Sequence, residues 1–335
     1  VYLAGLANVA IGDTVADAGA PEALPRLEVG EPTLRMQFSV NQSPLAGREG
    51  TVSSTSRQLR ARLERELLTN VALRVGDGPT ADIFEVSGRG ELHLAILIET
   101  MRREGYEFEV SRPAVITMDV DGHRCEPVEE CLIDCAAQSV GAVTDALGSR
   151  GAHMQSMRTD AGGGMRLTYR APTRALIGLR SQILTLTRGT GVMATRLIGW
   201  ERWQVLPPTA RNGALTASQP GTAVAYGLLG LQERGQPFIG PGTTVYEGMV
   251  VGLNRRPGDL HLNVTKQKQK TNIRSSTEDA TVRLVPPRSM SLEECLDFID
   301  DDELVEVTPA GIRMRKRVLN ADERTKIRKR ALVAG

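Results

Sequence analysis

The sequence predicts an α+β chain of several domains, and three observations carry that prediction. The 335 residues exceed the roughly 250–300 at which one hydrophobic core stops growing. A strand–helix–strand–strand–helix–strand order can be read twice in succession along the chain. Beyond it, short β-branched segments separated by glycine and proline suggest a barrel-like β domain to about Pro287, with helices returning near the end.

Taken in order, VYLAGLANVAIGDTV reads as a strand, a turn and a second strand with nothing ahead of the first to pair with it. The chain is therefore expected to begin inside a domain, and Pro21 and Pro25 punctuate a connector. From Glu31 come strand LRMQFSV, a polar Gly/Pro loop, and a helix around Ser56 to Asn70 with Leu59, Leu63 and Leu67 at i, i+4 and i+8. That stripe faces a sheet. Strands ALRV and IFEVSG, a helix from about Glu91 to Glu104 and strand YEFEVSRP complete βαββαβ, the ferredoxin-like unit. The same order recurs as strand PVEECLIDCAA, helix VGAVTDALGSR, strand AHMQSMRT, a Gly162-Gly163-Gly164 hairpin, strand MRLTYRAP, a helix around Ala175 to Thr187, and strand GVMATRLIGWER. Pro207-Pro208 and Asn212-Gly213 mark the next boundary. Later, Ser291 and Glu294 form an S-x-x-E capping box, and Asn320 caps a final basic helix through Arg330.

Composition narrows the function. Hydrophobic (41%) and charged (24%) fractions are those of an ordinary globular protein, and an aromatic fraction of 4% is low for stacking sugars or bases. Binding is expected to be electrostatic or shape-based. Cys125, Cys131, Cys135 and Cys295 carry no CxxC spacing, so a zinc site is not expected and Cys131 and Cys135 read as small apolar side chains on a core face. Without a signal peptide or a long apolar run, the chain reads as reduced, soluble and cytoplasmic.

No G-x-x-x-x-G-K-[ST] loop occurs and the dipeptide Gly-Lys is absent, so this stretch is not expected to hydrolyse a nucleoside triphosphate by itself. Gly88, Arg89 and Gly90 open a helix, where they either contact phosphate or make a tight turn that packs the helix on its sheet. His93 is either a general base or, more simply, a packed or capping histidine, since no nucleophile and carboxylate accompany it in sequence. The segment GLNRRPGDLHLNVTKQKQKTNIRSS carries Arg255, Arg256, Lys266, Lys268, Lys270 and Arg274 against Asp259, a net +5. Extended, it places the three lysines on one side, suited to a nucleic-acid backbone, with Gln267 and Asn272 for polar contacts; a solvated loop is the alternative. From Arg313 to Arg330, nine Lys/Arg face Asp322 and Glu323, a net +7, while the acidic LEECLDFIDDDELVEV just upstream could neutralise them within the fold.

At these residues a resemblance enters. GRGELHLAILIETMRREGYEFEVSRP resembles the third domain of elongation factor G-type translational GTPases, and DALGSRGAHMQSM with RALIGLRSQILTLTRGTG resembles their fifth. GLLGLQERG, GTTVYEGMVVG, TNIRSS and FIDDDELVEVTPAGIRMRKR resemble the C-terminal domain of the ribosome-associated BipA/TypA GTPases. The resemblance implies that residues 1–28 end a β-barrel domain, that 29–111 and 112–205 are the third- and fifth-domain equivalents, and that 206–335 is the family-specific domain. It implies that GTP and Mg are held by a domain upstream of Val1, leaving this fragment without catalytic residues, metal or cofactor. It further implies a monomer that binds the large ribosomal subunit, contacts ribosomal RNA and A-site transfer RNA, and supports subunit assembly and stress or cold adaptation. The implied RNA contacts are Lys266, Lys268, Lys270, Asn272, Arg274, Arg255 and Arg256, with Arg180 facing ribosomal RNA. Where the family loop is commonly GKKLTNMR-like, this chain has Lys266-Gln267-Lys268-Gln269-Lys270, which shifts the lysines. The alternative is a module whose acidic Asp300, Asp301 and Asp302 dock a basic ribosomal protein, without RNA contact.

Overall fold

The computed structural model describes Gly5 and residues 11–25, 30–48, 50, 55–159, 162–206, 211–267 and 283–334. The chain forms two compact units: Val1–Val40, Ser53–Met101 and Pro113–Leu206 make one, and Asn41–Val52, Arg102–Arg112 and Pro207–Gly335 make the other. Residues 11–25 hold turns and no strand. Ile11 and Val15, expected in a second strand, are exposed instead.

In the first unit, β1 (Leu34–Ser39) is followed by α1 (Ser56–Leu67), β2 (Arg74–Asp77), β3 (Ile83–Gly88) and α2 (Glu91–Arg103). Helix α1 begins where Thr55 and Gln58 form a reciprocal capping box, and its Leu59 and Leu63 are buried one turn apart, each worth about 1.5–3 kcal/mol of burial. Strand β3 pairs antiparallel with β1, Met36 opposite Val86 and Phe38 opposite Phe84, and with β2 on its other edge. Helix α2 turns Leu94, Ala95, Leu97, Ile98 and Met101 inward. Strand β4 (Phe108–Ser111) comes next in the chain and belongs to the second unit.

After β5 (Ala114–Val115) and β6 (Met118–Val120), the first unit continues with β7 (His123–Ala136), α3 (Val140–Gly148), β8 (His153–Thr159), β9 (Gly164–Pro172), α4 (Thr173–Leu176), α5 (Leu179–Leu186) and β10 (Val192–Arg202). The sheet order is β10-β7-β9-β8, antiparallel at each pairing, as the ferredoxin-like reading predicts. Cys131, Ile133 and Cys135 of β7 pack with Leu167, Tyr169, Val143, Leu147 and Ile183 in one core. The two cysteines are therefore core side chains, as expected.

The single helix expected at 175–187 is two. Gly178 takes φ 70 between α4 and α5, a left-handed conformation that glycine adopts without a Cβ clash. The break frees carbonyls at the end of α4, and the Arg150 guanidinium takes them, donating to Ala175 O at 3.2 Å and Ile177 O at 2.6 Å.

The second unit departs further from expectation. Its strands β11 (Ala214–Ala217) and β12 (Gly221–Thr222) lead into a helix, α6 (Ala225–Arg234), before β13 (Gly235–Pro237), β14 (Thr244–Val245), β15 (Val250–Asn254) and β16 (Leu260–Leu262). These strands make a sheet of order β13-β15-β11-β16 and a β12–β14 ribbon. Gly227 and Gly230 read as breakers in sequence, yet Gly227 is the condition for packing α6, because a Cβ there would lie 2.3 Å from Val264 O. Leu228 and Leu231, three apart, are buried beneath it.

Helix α7 (Leu292–Phe298) starts at the predicted capping box of Ser291 and Glu294. The acidic stretch after it is not helical: it turns into a hairpin of β17 (Glu303–Val307) and β18 (Ile312–Lys316), followed by α8 (Ala321–Ala334). Strand β17 pairs with β4, placing Leu304 opposite Ser111, Glu306 opposite Glu109 and Val307 opposite Phe108. On one face of these strands Arg315 donates to both carboxylate oxygens of Glu109 at 2.6–2.9 Å, and Arg313 pairs with Glu306 at 3.1 Å. Burial pushes both carboxyls up from the ordinary glutamate range, while the arginines pull them down.

Arg315→Met leaves Glu109 buried without its partner, which should cost about 3–5 kcal/mol of local stability, with part of the loss recovered in the Glu109→Gln/Arg315→Met double variant. Amide exchange in β17 and β18 measures it, and unchanged protection in the single variant would contradict this role.

Candidate nucleic-acid interface

The basic segment singled out in sequence is anchored at Val264 and Thr265. Val264 is buried and its carbonyl accepts from Val224 N–H at 3.0 Å, ahead of α6. Thr265 N–H donates to Asn263 Oδ1 at 3.0 Å, and Gln219 donates to Thr265 Oγ1 at 2.7 Å. Lys266 and Gln267 then stand exposed. Lys268, Lys270, Asn272 and Arg274 lie outside the described residues. The described residues resume at Arg283, and Val285 N–H donates to Gln232 Oε1 of α6 at 2.7 Å. Both ends of the segment are thus fastened beside one short helix.

Arg255 and Arg256 occupy the turn between β15 and β16 and are exposed. Arg255 is partly engaged within the fold: its guanidinium lies by Gln232 O at 3.5 Å and Glu233 O at 3.4 Å. These are carbonyls of the last turn of α6, where a cation is favoured by unpaired acceptors and the helix dipole. Arg256 uses its backbone N–H on Asn254 Oδ1 at 3.2 Å and presents its side chain to solvent.

Arg180 belongs to the other compact unit, exposed in the first turn of α5. It lines a cleft of about 270 Å³ together with Arg89, His93, Glu129, Thr173 and Thr195. Two motifs singled out separately in sequence, the glycine turn and the α5 helix, therefore meet. The Glu91 carboxylate accepts from Gly178 N–H at 3.1 Å, fixing the start of α2 against the break before α5.

Within that cleft Gly88 is a packing glycine, since a Cβ would come within 3.0 Å of His93 Nδ1 and Leu94 Cδ2. His93 caps the same turn: Nδ1 accepts from Arg89 N–H at 3.3 Å, and Nε2 lies against the Asn70 amide, 2.9 Å from Nδ2 and 3.1 Å from Oδ1. With Nδ1 accepting, the neutral ring carries its proton on Nε2 and Oδ1 is the acceptor. Burial, then the charge of Arg89, lower its pKa. A neutral, doubly engaged imidazole is a structural element, and no serine or cysteine is bonded to it among the described residues. Cys131, near Arg180, is pushed up to about 12 by burial and is a poor nucleophile.

The C-terminal basic run divides. Arg313 and Arg315 are consumed by Glu306 and Glu109, and Lys316 sits between Asp259 at 2.6 Å, Glu303 at 2.9 Å and Asp302 at 3.0 Å. Neutralisation within the fold, the simpler reading of this stretch, holds for these three. Asn320 Oδ1 caps α8 by accepting from Asp322 N–H and Glu323 N–H at 3.0 and 3.1 Å. Beyond it Lys326, Arg328, Lys329 and Arg330 are exposed.

Among the described residues no helix is long and apolar enough to cross a membrane. Comparison with known proteins gives two domain matches: the TypA/BipA C-terminal domain over residues 212–321 and the elongation factor G C-terminus over residues 123–209. A Synechocystis protein named large ribosomal subunit assembly factor BipA is 50% identical over 316 residues, 94% of this chain and 53% of the relative. The protein of that name from Bacillus subtilis is 45% identical over 336 residues, 100% of this chain and 55% of the relative. That from Escherichia coli K12 is 49% identical over 327 residues, 97% and 53% respectively. The chain spans about half the length of the curated relatives it matches.

The His93 pKa is lowered in the fold, so its contribution to stability is complete above about pH 6.5 and is lost as pH falls below the unfolded value. Thermal unfolding of parent and His93→Gln at pH 7.5 and 5.5 should show a smaller acid-induced loss in the variant; equal losses would assign the titration elsewhere.

Proposed function

The chain belongs to the TypA/BipA family, matching a C-terminal fragment of it, and on that premise we propose that it is the ribosome-gripping part of a large-subunit assembly factor. The observation that carries this reading is identity of 45–50% over nearly the whole chain to relatives bearing that name. In this reading, GTP hydrolysis with Mg resides in the portion of the relatives that the chain does not span. The proposed domain map is that of the sequence: 1–28, 29–111, 112–205 and 206–335.

RNA is proposed as the direct partner, both ribosomal RNA and A-site transfer RNA. Lys266, Lys268, Lys270, Asn272 and Arg274 are the principal contacts, Arg255 and Arg256 flank them, and Arg180 with Arg89 serves a second contact. The described ends of the lysine segment support this: Val264 and Val285 are each anchored at α6, and Lys266 is exposed. Exposed arginine and lysine favour phosphate contacts, which position an RNA rather than read its sequence. Stress or cold adaptation, a cytoplasmic location and a monomeric state belong to the same proposal. The rival reading, docking of a basic protein on Asp300 to Asp302, is weakened because Asp300 pairs with Arg112 at 3.2 Å and Asp302 with Lys316 at 3.0 Å.

Replacing Lys266, Lys268 and Lys270 by glutamine should weaken ribosome binding and reduce the slope of log K against log salt by about 0.7–0.9 per lost phosphate contact. Unchanged affinity and slope, measured by co-sedimentation at rising salt, would sink the RNA reading; crosslinks to ribosomal proteins alone would favour its rival.

A further inference from the structure

We propose that a cleft at the C-terminal end of α6, walled by Val285, is a pocket for an unpaired RNA base, an inference that rests on the RNA reading above. The cleft encloses about 390 Å³ and is lined by Asn212, Gln232, Gln236, Leu253, Arg255 and Val285 among others. Its chemistry differs from that of the lysine segment. A phosphate asks only for donors, whereas a base edge alternates donors and acceptors, and carboxamides supply both on one planar group. Four carboxamides line it, of which Asn254 is spent on Gly258 O and Arg256 N–H while Asn212, Gln232 and Gln236 remain, and among the described lining residues there is no aspartate or glutamate.

The groups are held in place. Gln232 Oε1 accepts from Val285 N–H at 2.7 Å, which fixes the orientation of its amide and leaves the NH₂ as donor. Asn212 Nδ2 approaches Arg255 O at 3.4 Å, so its own oxygen remains as acceptor. The Arg255 guanidinium rests against the final carbonyls of α6 at 3.4–3.5 Å, a planar cation at the rim of the kind on which bases stack. Leu253 and Val285 give the apolar surface that covers a base face, and Val285 is 57% exposed. Gly235 on the cleft's lining admits no side chain, since a Cβ there would fall 1.8 Å from Leu253 O.

Sequence ties the cleft to the charges: Val285, one wall, follows the lysine-bearing stretch in the chain, which is the ground for taking RNA as the occupant. The low aromatic content explains why the pocket is built from amides and a guanidinium. A peptide backbone, which also alternates donors and acceptors, is the rival occupant.

The test is fluorescence anisotropy of the whole chain with oligouridine and oligoadenosine RNA decamers and with an abasic ribose-phosphate decamer carrying the same phosphates. The parent should bind at least one base-bearing decamer about tenfold more tightly than the abasic one, a ratio in the range reported for one engaged base. Gln236→Leu, and the isosteric Gln236→Glu at this exposed position, should cut that preference severalfold without changing the salt slope, while the triple lysine-to-glutamine variant lowers the slope for all three probes alike. Equal parental binding of base-bearing and abasic decamers, or a preference untouched by both Gln236 variants, overturns the pocket. That result with the lysine effect intact leaves the RNA reading standing; loss of the lysine effect strikes that reading itself.

Discussion

The buried pairing of Glu109 with Arg315 is the constraint on which the second unit turns. The two residues are 206 positions apart, and their side chains are 2% and 6% exposed. Neither charge is tolerable there alone, because desolvation of an isolated ion costs more than the fold can supply. Together, with Glu306 and Arg313 beside them, they admit one register of β17 on β4. A slip by one residue would set each charge on the opposite face, among Phe108, Val110, Val305 and Met314. The seam therefore selects a pairing, and its gain is specificity more than free energy.

That seam also sorts the basic residues. Positive charge in this chain is of two kinds: side chains consumed by carboxylates inside the fold, as Arg313, Arg315 and Lys316 are, and side chains left at the surface, as Arg180, Arg256, Lys266 and the cations of α8 are. Only the second kind is available to an anionic partner. The net charge of +1 conceals this, because it sums side chains spent on internal ion pairs with side chains that remain exposed.

Much of the fold was legible because its signals are local. The capping box at Ser291, the Leu59–Leu63 spacing and the alternation along Cys131, Ile133 and Cys135 each report on a few neighbouring residues. Helix α6 was not legible, because Gly227 looks like a breaker until Val264 is placed against it. The split at Gly178 was hidden likewise, since Arg150, which satisfies the freed carbonyls, lies 25 and 27 residues upstream of them. Among the candidate site residues, charge pattern pointed to the lysine segment and the family resemblance to Arg180, but neither showed that Arg89 shares a cleft with Arg180, nor that amides at 212, 232 and 236 converge in one cleft.

By itself the sequence determined the α+β class, the repeated βαββαβ order, the core faces, and the kinship with the TypA/BipA family, because periodicity, capping and family-specific segments are written in contiguous residues. Only the tertiary structure decided which charges are spent, which glycines are required by a neighbouring backbone, and which strand β17 joins. Those outcomes depend on residues that meet across long loops, where partner and burial together set the energy of a charge or of a missing Cβ, and neither is encoded at the position itself.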